Sequence, residues 1–179
     1  MAPLKYTLAF FLGAMALVSC NDKSLQKYLV EKQDDDKFVK MDIAASLLQG
    51  KNSNFTQEEK DILSTIKKVN VVAYPIIEGD TADYEKERQE LRNILDQEQY
   101  KELTRIKSRQ WNATLKYTGE EDAIDEVIVF ASDDNRGFAV FRLLGENMRP
   151  DQMVKLMNSA ERGDLDVSKL EGFGKIFKD

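Results

Sequence analysis

No histidine occurs anywhere in the 179 residues, and cysteine occurs once, at position 20. The first absence excludes Ser-His-Asp and Cys-His nucleophilic systems, in which an imidazole takes the proton from the nucleophile. Together the two absences exclude zinc sites built from Cys and His and c-type haem attachment through a Cys-x-x-Cys-His motif. Carboxylates, Tyr and Lys remain available for proton transfer, but the commonest general base is missing. The expectation is a protein that is not an enzyme, with no catalytic or metal-ligating residues and no cofactor. Cations are outnumbered, 26 Lys and Arg against 32 Asp and Glu, and no basic run concentrates them. Nucleic-acid phosphates demand clustered Lys and Arg, so nucleic acid is not an expected partner. Finally, no apolar run reaches the ~20 residues that a membrane-spanning helix needs.

What is present at the N-terminus is more specific. Lys5 is the only charge ahead of Cys20, and Tyr6 to Val18 is apolar or small apart from Thr7. A weakly basic start, a short apolar run and a small-residue cleavage site read as a secretory leader over residues 1–19, to be left out of fold reasoning. An ordinary leader places a small residue three positions before the cut, and Leu17 stands there instead. Leu17-Val18-Ser19-Cys20 resembles the bacterial lipoprotein signal, in which the cysteine is acylated and becomes the new N-terminus. Cys20 is therefore expected to be a lipid attachment point (palmitate and related acyl chains), neither a nucleophile nor a disulfide partner. Each buried CH₂ of an acyl chain contributes about 0.8 kcal/mol, and more than one chain makes the anchor stable. Loss of Lys5 with the leader takes the net charge from −6 to −7 and leaves 160 residues. Acyl chains, rather than attraction to anionic lipid, are then expected to hold the chain to the membrane.

Residues 20–24 read as the lipidated N-terminus and a tether, so short that the domain of residues 25–179 must sit close to the bilayer. Ser24 can cap a short helix with Leu25, Tyr28 and Leu29 on one face. Asp34-Asp35-Asp36 follows, and adjacent acids suit a solvated turn better than calcium, whose ligands alternate around a glycine. Phe38 to Ile43 reads as a strand, with Ala44 to Gln49 as a helical turn. Thr56-Gln57-Glu58-Glu59 is a capping box for a helix whose face carries Ile62, Leu63, Ile66 and Val69. Val71 to Ile77 is a β-rich run in which Pro75 marks an edge or an end. Residues 81–104 carry a charged helical pattern with Tyr84, Leu91 and Leu95 as its stripe. Tyr100 and Leu103 extend that stripe past a break near Asp96.

The second half reads as a three-strand meander. Trp111 to Thr118 alternates, with Trp111, Ala113, Leu115 and Tyr117 on one face. Glu126 to Ser132 is apolar on both faces and suits a central strand. Asp133 to Gly137 fits a hairpin with glycine at a left-handed position better than a calcium loop, and leads into Phe138 to Leu143. Pro150 opens a last helix with Met153, Leu156, Met157 and Ala160 on one face. The architecture expected is α+β, a single domain. About five strands form a mostly antiparallel mixed sheet, in which the early strand-helix-strand order allows a parallel pair, and the helices pack mainly on one face.

The order strand, helix, strand, long helix, three strands, helix resembles the Bacteroidota lipoprotein family of domain of unknown function 4252. The resemblance rests on Tyr100-Lys101-Glu102-Leu103, on Asp125-Glu126-Val127-Ile128-Val129, and on Phe138-Ala139-Val140-Phe141-Arg142-Leu143-Leu144-Gly145 ahead of a terminal helix. It implies an envelope lipoprotein without a catalytic motif and carries over no active-site residues. In that setting Asp80-Thr81-Ala82 resembles a bacterial O-glycosylation site at Thr81. Asp22 stands as a lone acid behind the cysteine, which favours a periplasm-facing position on the outer membrane over a surface-exposed one.

Three functional readings follow. The leading one is a non-catalytic binding or scaffold module, a signalling accessory of the envelope, with the membrane and an envelope protein as partners. The alternative is a carrier or sensor of a lipid or other apolar small molecule, with Trp111, Tyr117, Phe130 and Phe141 lining a pocket between sheet and helices. The third is a hydrolase working through carboxylates such as Glu120-Glu121-Asp122, which requires a cleft around them.

Overall fold

The computed structural model describes residues 23–48, 54–76, 81–107 and 111–162. The first helix, α1 (Leu25–Glu31), starts where the Ser24 hydroxyl accepts the backbone N–H of Lys27. Strand β1 (Val39–Ala44) runs into a 3₁₀ turn (Ala45–Leu48), and α2 (Gln57–Ser64) leads directly into β2 (Ile66–Pro75). After α3 (Thr81–Leu95) come β3 (Lys101–Lys107), β4 (Asn112–Glu120), β5 (Ala123–Asp133), β6 (Gly137–Met148) and α4 (Pro150–Glu161). The six strands form one sheet in the order β1-β2-β6-β5-β4-β3. Every neighbouring pair is antiparallel. The α+β class stands, with six strands instead of five and without the parallel pair that the sequence allowed.

Two misread segments account for the difference. The charged helical pattern read over residues 81–104 overlaps, past its break near Asp96, the edge strand β3 (Lys101–Lys107), which makes the meander four strands long. An edge strand buries little, and a register shift between Glu102 and Thr104 breaks its period-two signal. Its charges also guard the open edge against pairing with other chains. Ile66 and Val69, expected on the face of α2, lie in β2 instead. The β-branched residues Val69, Val71 and Val72 outweigh the helical spacing that Ile66 and Val69 share.

The helices are not gathered on one side. Val69, Val71 and Ala73 of β2 point to one face, with Leu115, Tyr117 and Val127, and meet Ile62 and Leu63 of α2 and Met153 and Leu156 of α4. Val72 and Tyr74 point to the other, with Ile128, Phe130, Phe138 and Val140. Leu25 and Tyr28 of α1 and Tyr84, Leu91, Ile94 and Leu95 of α3 cover them. Among the described residues the sheet thus carries two helices on each face. The cause is legible in β2 and β5, whose consecutive apolar residues serve both faces of a central strand. A one-sided layer would leave the second set in water at a cost of about 1.5–3 kcal/mol for each large side chain.

The ends of the elements are fixed by specific bonds. The capping box of α2 is closed: the Thr56 hydroxyl accepts from the Glu59 N–H and the Glu59 carboxylate accepts from the Thr56 N–H. Between β5 and β6 the Asp133 carboxylate accepts the N–H groups of Asn135 and Arg136. Gly137 closes that turn at φ 124°. A Cβ there would fall 2.0 Å from the Tyr74 carbonyl oxygen, so only glycine lets β6 pair so closely with β2.

Candidate functional site: two open clefts on one face of the sheet

The helical layer made by α1 and α3 is narrower than the sheet beneath it. It leaves a concave surface at each side, one over β1, β2 and β6 and one over β3, β4 and β5. Both lie on the face that carries Val72, Ile128 and Phe130.

The first cleft encloses about 500 Å³ between α1 and the β1 edge. Leu29 and Val30 of α1 overhang it, and Val30 is 55% exposed. Its charged groups are mutually satisfied. Arg142 is held by both carboxylate oxygens of Glu126, at 2.8 and 3.2 Å, and also donates to the Gln26 side chain. Asp42 pairs with Lys68 at 2.7 Å and accepts from Asn70. The Lys40 ammonium is spent on the carbonyls of Gln33 and Asp35, at 2.9 and 2.8 Å, where it ties down the aspartate-rich turn.

The second cleft encloses about 470 Å³ beside the C-terminus of α3. Its floor is a set of cross-strand rows, Lys107-Asn112-Ser132 and Arg105-Thr114-Phe130, with Lys116 beside Glu102 in the next. Arg92 enters from α3 above. The Lys116 side chain is buried, and its ammonium donates to the last carbonyl of α3, Leu95, with the Asp96 carboxylate 3.4 Å away. Arg105 pairs with Glu102 at 2.7 Å. Arg92 and Lys107 make no ion pair among the described residues.

The four aromatics expected around a common pocket are not brought together. Tyr117 and Phe141 belong to the face covered by α2 and α4, Phe130 belongs to the opposite face, and Trp111 is half-buried ahead of β4. The reason is the pleat: Tyr117 and Phe130 sit in β4 and β5 at positions of opposite parity relative to their register, so their side chains leave the sheet in opposite directions. Glu120, Glu121 and Asp122 are exposed at the β4–β5 turn and line neither cleft. Thr81 is the exposed first residue of α3, while Asp80 and Cys20 lie outside the described residues. Met153 is core and Met157 packs against it. Sequence reading missed the second cleft altogether. A signal was there: Asn112, Thr114 and Lys116 are the polar half of the alternation in β4, and Arg105 and Lys107 repeat it once Lys101–Lys107 is a strand.

The two carboxylates buried among the described residues act as caps. Glu59, 3% exposed, takes hydrogen bonds from Ser159, from the Thr56 backbone and from the Thr56 hydroxyl, and faces Arg162. The Ser159 hydroxyl first, then Thr56, hold its carboxyl down to about 2. A general acid needs the opposite shift. Burial pushes the phenols of Tyr28 and Tyr84 up. Tyr28 donates to Glu87 and Tyr84 to the Asp133 carbonyl, so both hydroxyls are structural donors. Among the described residues no group of three or more Asp, Glu or Cys is placed to hold a metal ion.

Neither a curated protein nor a solved structure matches the chain. The model of one family, the domain of unknown function DUF4252, matches residues 28–156, from α1 to α4. That stretch takes in all six strands and, apart from Gln26, the residues that line both clefts, and on it the chain belongs to the DUF4252 family.

Proposed function

We propose that the protein is a lipid-anchored envelope module that works by binding and not by catalysis, held to the outer membrane through acyl chains on Cys20 and facing the periplasm. The observation that carries this reading is the start of the fold. The described chain begins at Lys23, and its first residues are sewn to the far end of α3. The Lys23 carbonyl accepts from the Gln97 side chain at 3.0 Å, and the Leu25 N–H donates to the buried Tyr100 hydroxyl at 2.9 Å. Only Asn21 and Asp22 separate Cys20 from Lys23, and the three steps along the chain reach at most about 11 Å. An acylated Cys20 therefore holds the body of the domain against the headgroups rather than at the end of a flexible stalk. The use of both buried carboxylates as caps, Glu59 and Asp133, supports a binding role over a hydrolytic one. The carrier alternative needs an enclosed apolar cavity, and the two open, charge-lined clefts support it less well.

The test is crosslinking of the intact native envelope, followed by recovery of the protein through a C-terminal tag, with Cys20→Ala as the unanchored control. One envelope protein recovered near stoichiometrically with the anchored form and lost from the control is the expected result. Recovery of no protein above background, with lipid or a small molecule bound in its place, would turn the assignment to the carrier.

A further inference from the structure

We propose that the cleft over β3, β4 and β5 binds the phosphate group of an anionic lipid headgroup. Four cations line it, Arg92, Arg105, Lys107 and Lys116, in a chain whose net charge is −6. They come from α3, β3 and β4, and the strand register sets three of them on one face of the sheet. Cβ atoms directly across a strand pair stand about 5 Å apart, so the groups around Thr114 and Lys116 converge on one space.

Part of this charge has a local use. Lys116 and Arg92 lie at the C-terminus of α3, where the helix dipole presents about half a negative charge. Asp96 beside Lys116 and Glu102 beside Arg105 remove one charge each. The sum of these is about two and a half negative charges against four positive ones, so the cleft keeps a positive excess. The comparison with the first cleft points the same way. There Arg142, Lys68 and Lys40 are all spent on carboxylates or carbonyls. Here Arg92 and Lys107 have no such partner among the described residues, and the Thr114 and Ser132 side chains add hydroxyls to the lining. Paired guanidinium and ammonium donors with neighbouring hydroxyls are the chemistry that receives a phosphate.

The source of the phosphate follows from position, and this step rests on the anchored reading above. Asp96 lines the cleft, and the next residue, Gln97, holds the carbonyl of Lys23. The seam from which the tether leaves and the rim of the cleft are thus adjacent in the chain. Acyl chains on Cys20 hold this rim near the headgroups, within a tether reach of about 11 Å that is comparable to the Debye length of about 8 Å at physiological salt. The rest of the acidic surface is repelled by an anionic leaflet, so the cleft also orients the domain.

The experiment uses short-chain lipids in solution, so that it does not depend on the anchor. The full chain, purified in neutral detergent, is titrated calorimetrically with dihexanoyl-phosphatidylglycerol, dihexanoyl-phosphatidylcholine and inorganic phosphate. Phosphatidylglycerol is expected to bind and phosphatidylcholine to bind at least tenfold more weakly. Arg92→Gln and Lys107→Gln should each weaken phosphatidylglycerol about fivefold. The matched change of charge in the other cleft, Lys40→Gln with Lys68→Gln, should leave it unaltered. Equal binding of the two lipids, or equal loss from either pair of variants, would overturn the proposal. Inorganic phosphate binding as tightly as phosphatidylglycerol would overturn the lipid as source. Cys20→Ala is expected to bind as the parent does, so a failure of the anchor and a failure of the cleft give different results.

Discussion

Replacing Phe138 by alanine should remove the centre of the aromatic layer that fastens α1 and α3 to the sheet. Phe138 is fully buried, and its ring lies 5.6 Å from Tyr74 in a stacked pair. It meets Phe38 and Phe130 edge-on at 6.3 and 5.9 Å and Tyr84 at 6.0 Å. Truncation of a buried Phe to Ala costs about 3–5 kcal/mol through lost transfer energy and the cavity left behind. Aromatic pairs add about 0.5–1.5 kcal/mol each in double-mutant cycles, overlapping that figure. With four such neighbours, Phe138→Ala should fall at about 4–5 kcal/mol. A domain of this size is stable by about 5–15 kcal/mol, so the variant should lose about a quarter or more of its stability. Val30→Ala, at a position 55% exposed on α1, should stay within about 0.5 kcal/mol of the parent. Urea unfolding followed by circular dichroism, with an unchanged denaturant slope as the condition for comparison, gives both values. A loss below about 2 kcal/mol for Phe138→Ala at unchanged slope would refute a second core on this face.

Two further predictions test the ends of elements. The Glu59 carboxyl is held at about 2 in the folded chain against its ordinary 4.5, so its contribution is fully present above pH 4.5 and lost as pH falls towards 2. The melting temperature of Glu59→Gln should therefore converge on that of the parent across that window and lie below it at neutral pH. A constant gap between the two curves would show that the carboxylate is not the group bound by Ser159 and Thr56. Gly137→Ala places a methyl 2.0 Å from the Tyr74 carbonyl oxygen at φ 124°. It should cost more than the 1–3 kcal/mol ascribed to backbone strain alone, roughly 3 kcal/mol or above. Hydrogen exchange should then quicken in the β2–β6 pair first. A neutral effect would mean that the hairpin closes differently.

What the sequence revealed and what it hid divide along physical lines. Local signals held: the Thr56–Glu59 capping box, Ser24 as helix cap, Gly137 in the hairpin and Pro150 at the start of α4 all stand where their chemistry requires. The alternation of Ala113, Leu115 and Tyr117 named a buried face correctly, because period two in a half-buried strand is a strong pattern. Lys101–Lys107 was hidden because an edge strand with a bulge scatters its four charges among seven residues without a clean alternation, as an exposed helix does. The pocket of four aromatics failed for a different reason. Tyr117 and Phe130 are each correctly placed in strands, yet only the cross-strand register decides which face each leaves by. That register also gathers Arg105, Lys107 and Lys116 into one cleft from positions that the sequence keeps apart. The two-sided helical layer lay closer to hand, since consecutive apolar residues in β2 and β5 already demand cover on both faces.

The most direct test of the membrane-anchored account is mass spectrometry of the mature N-terminus of the protein taken from its native envelope. The account predicts a chain that begins at Cys20 and carries acyl chains, lost from the membrane fraction when Cys20 is replaced by alanine. A chain that begins at Met1, or at any residue other than Cys20 without lipid, would contradict it. The domain would then be left without the tether that sets the seam at Lys23 and the basic cleft beside the headgroups.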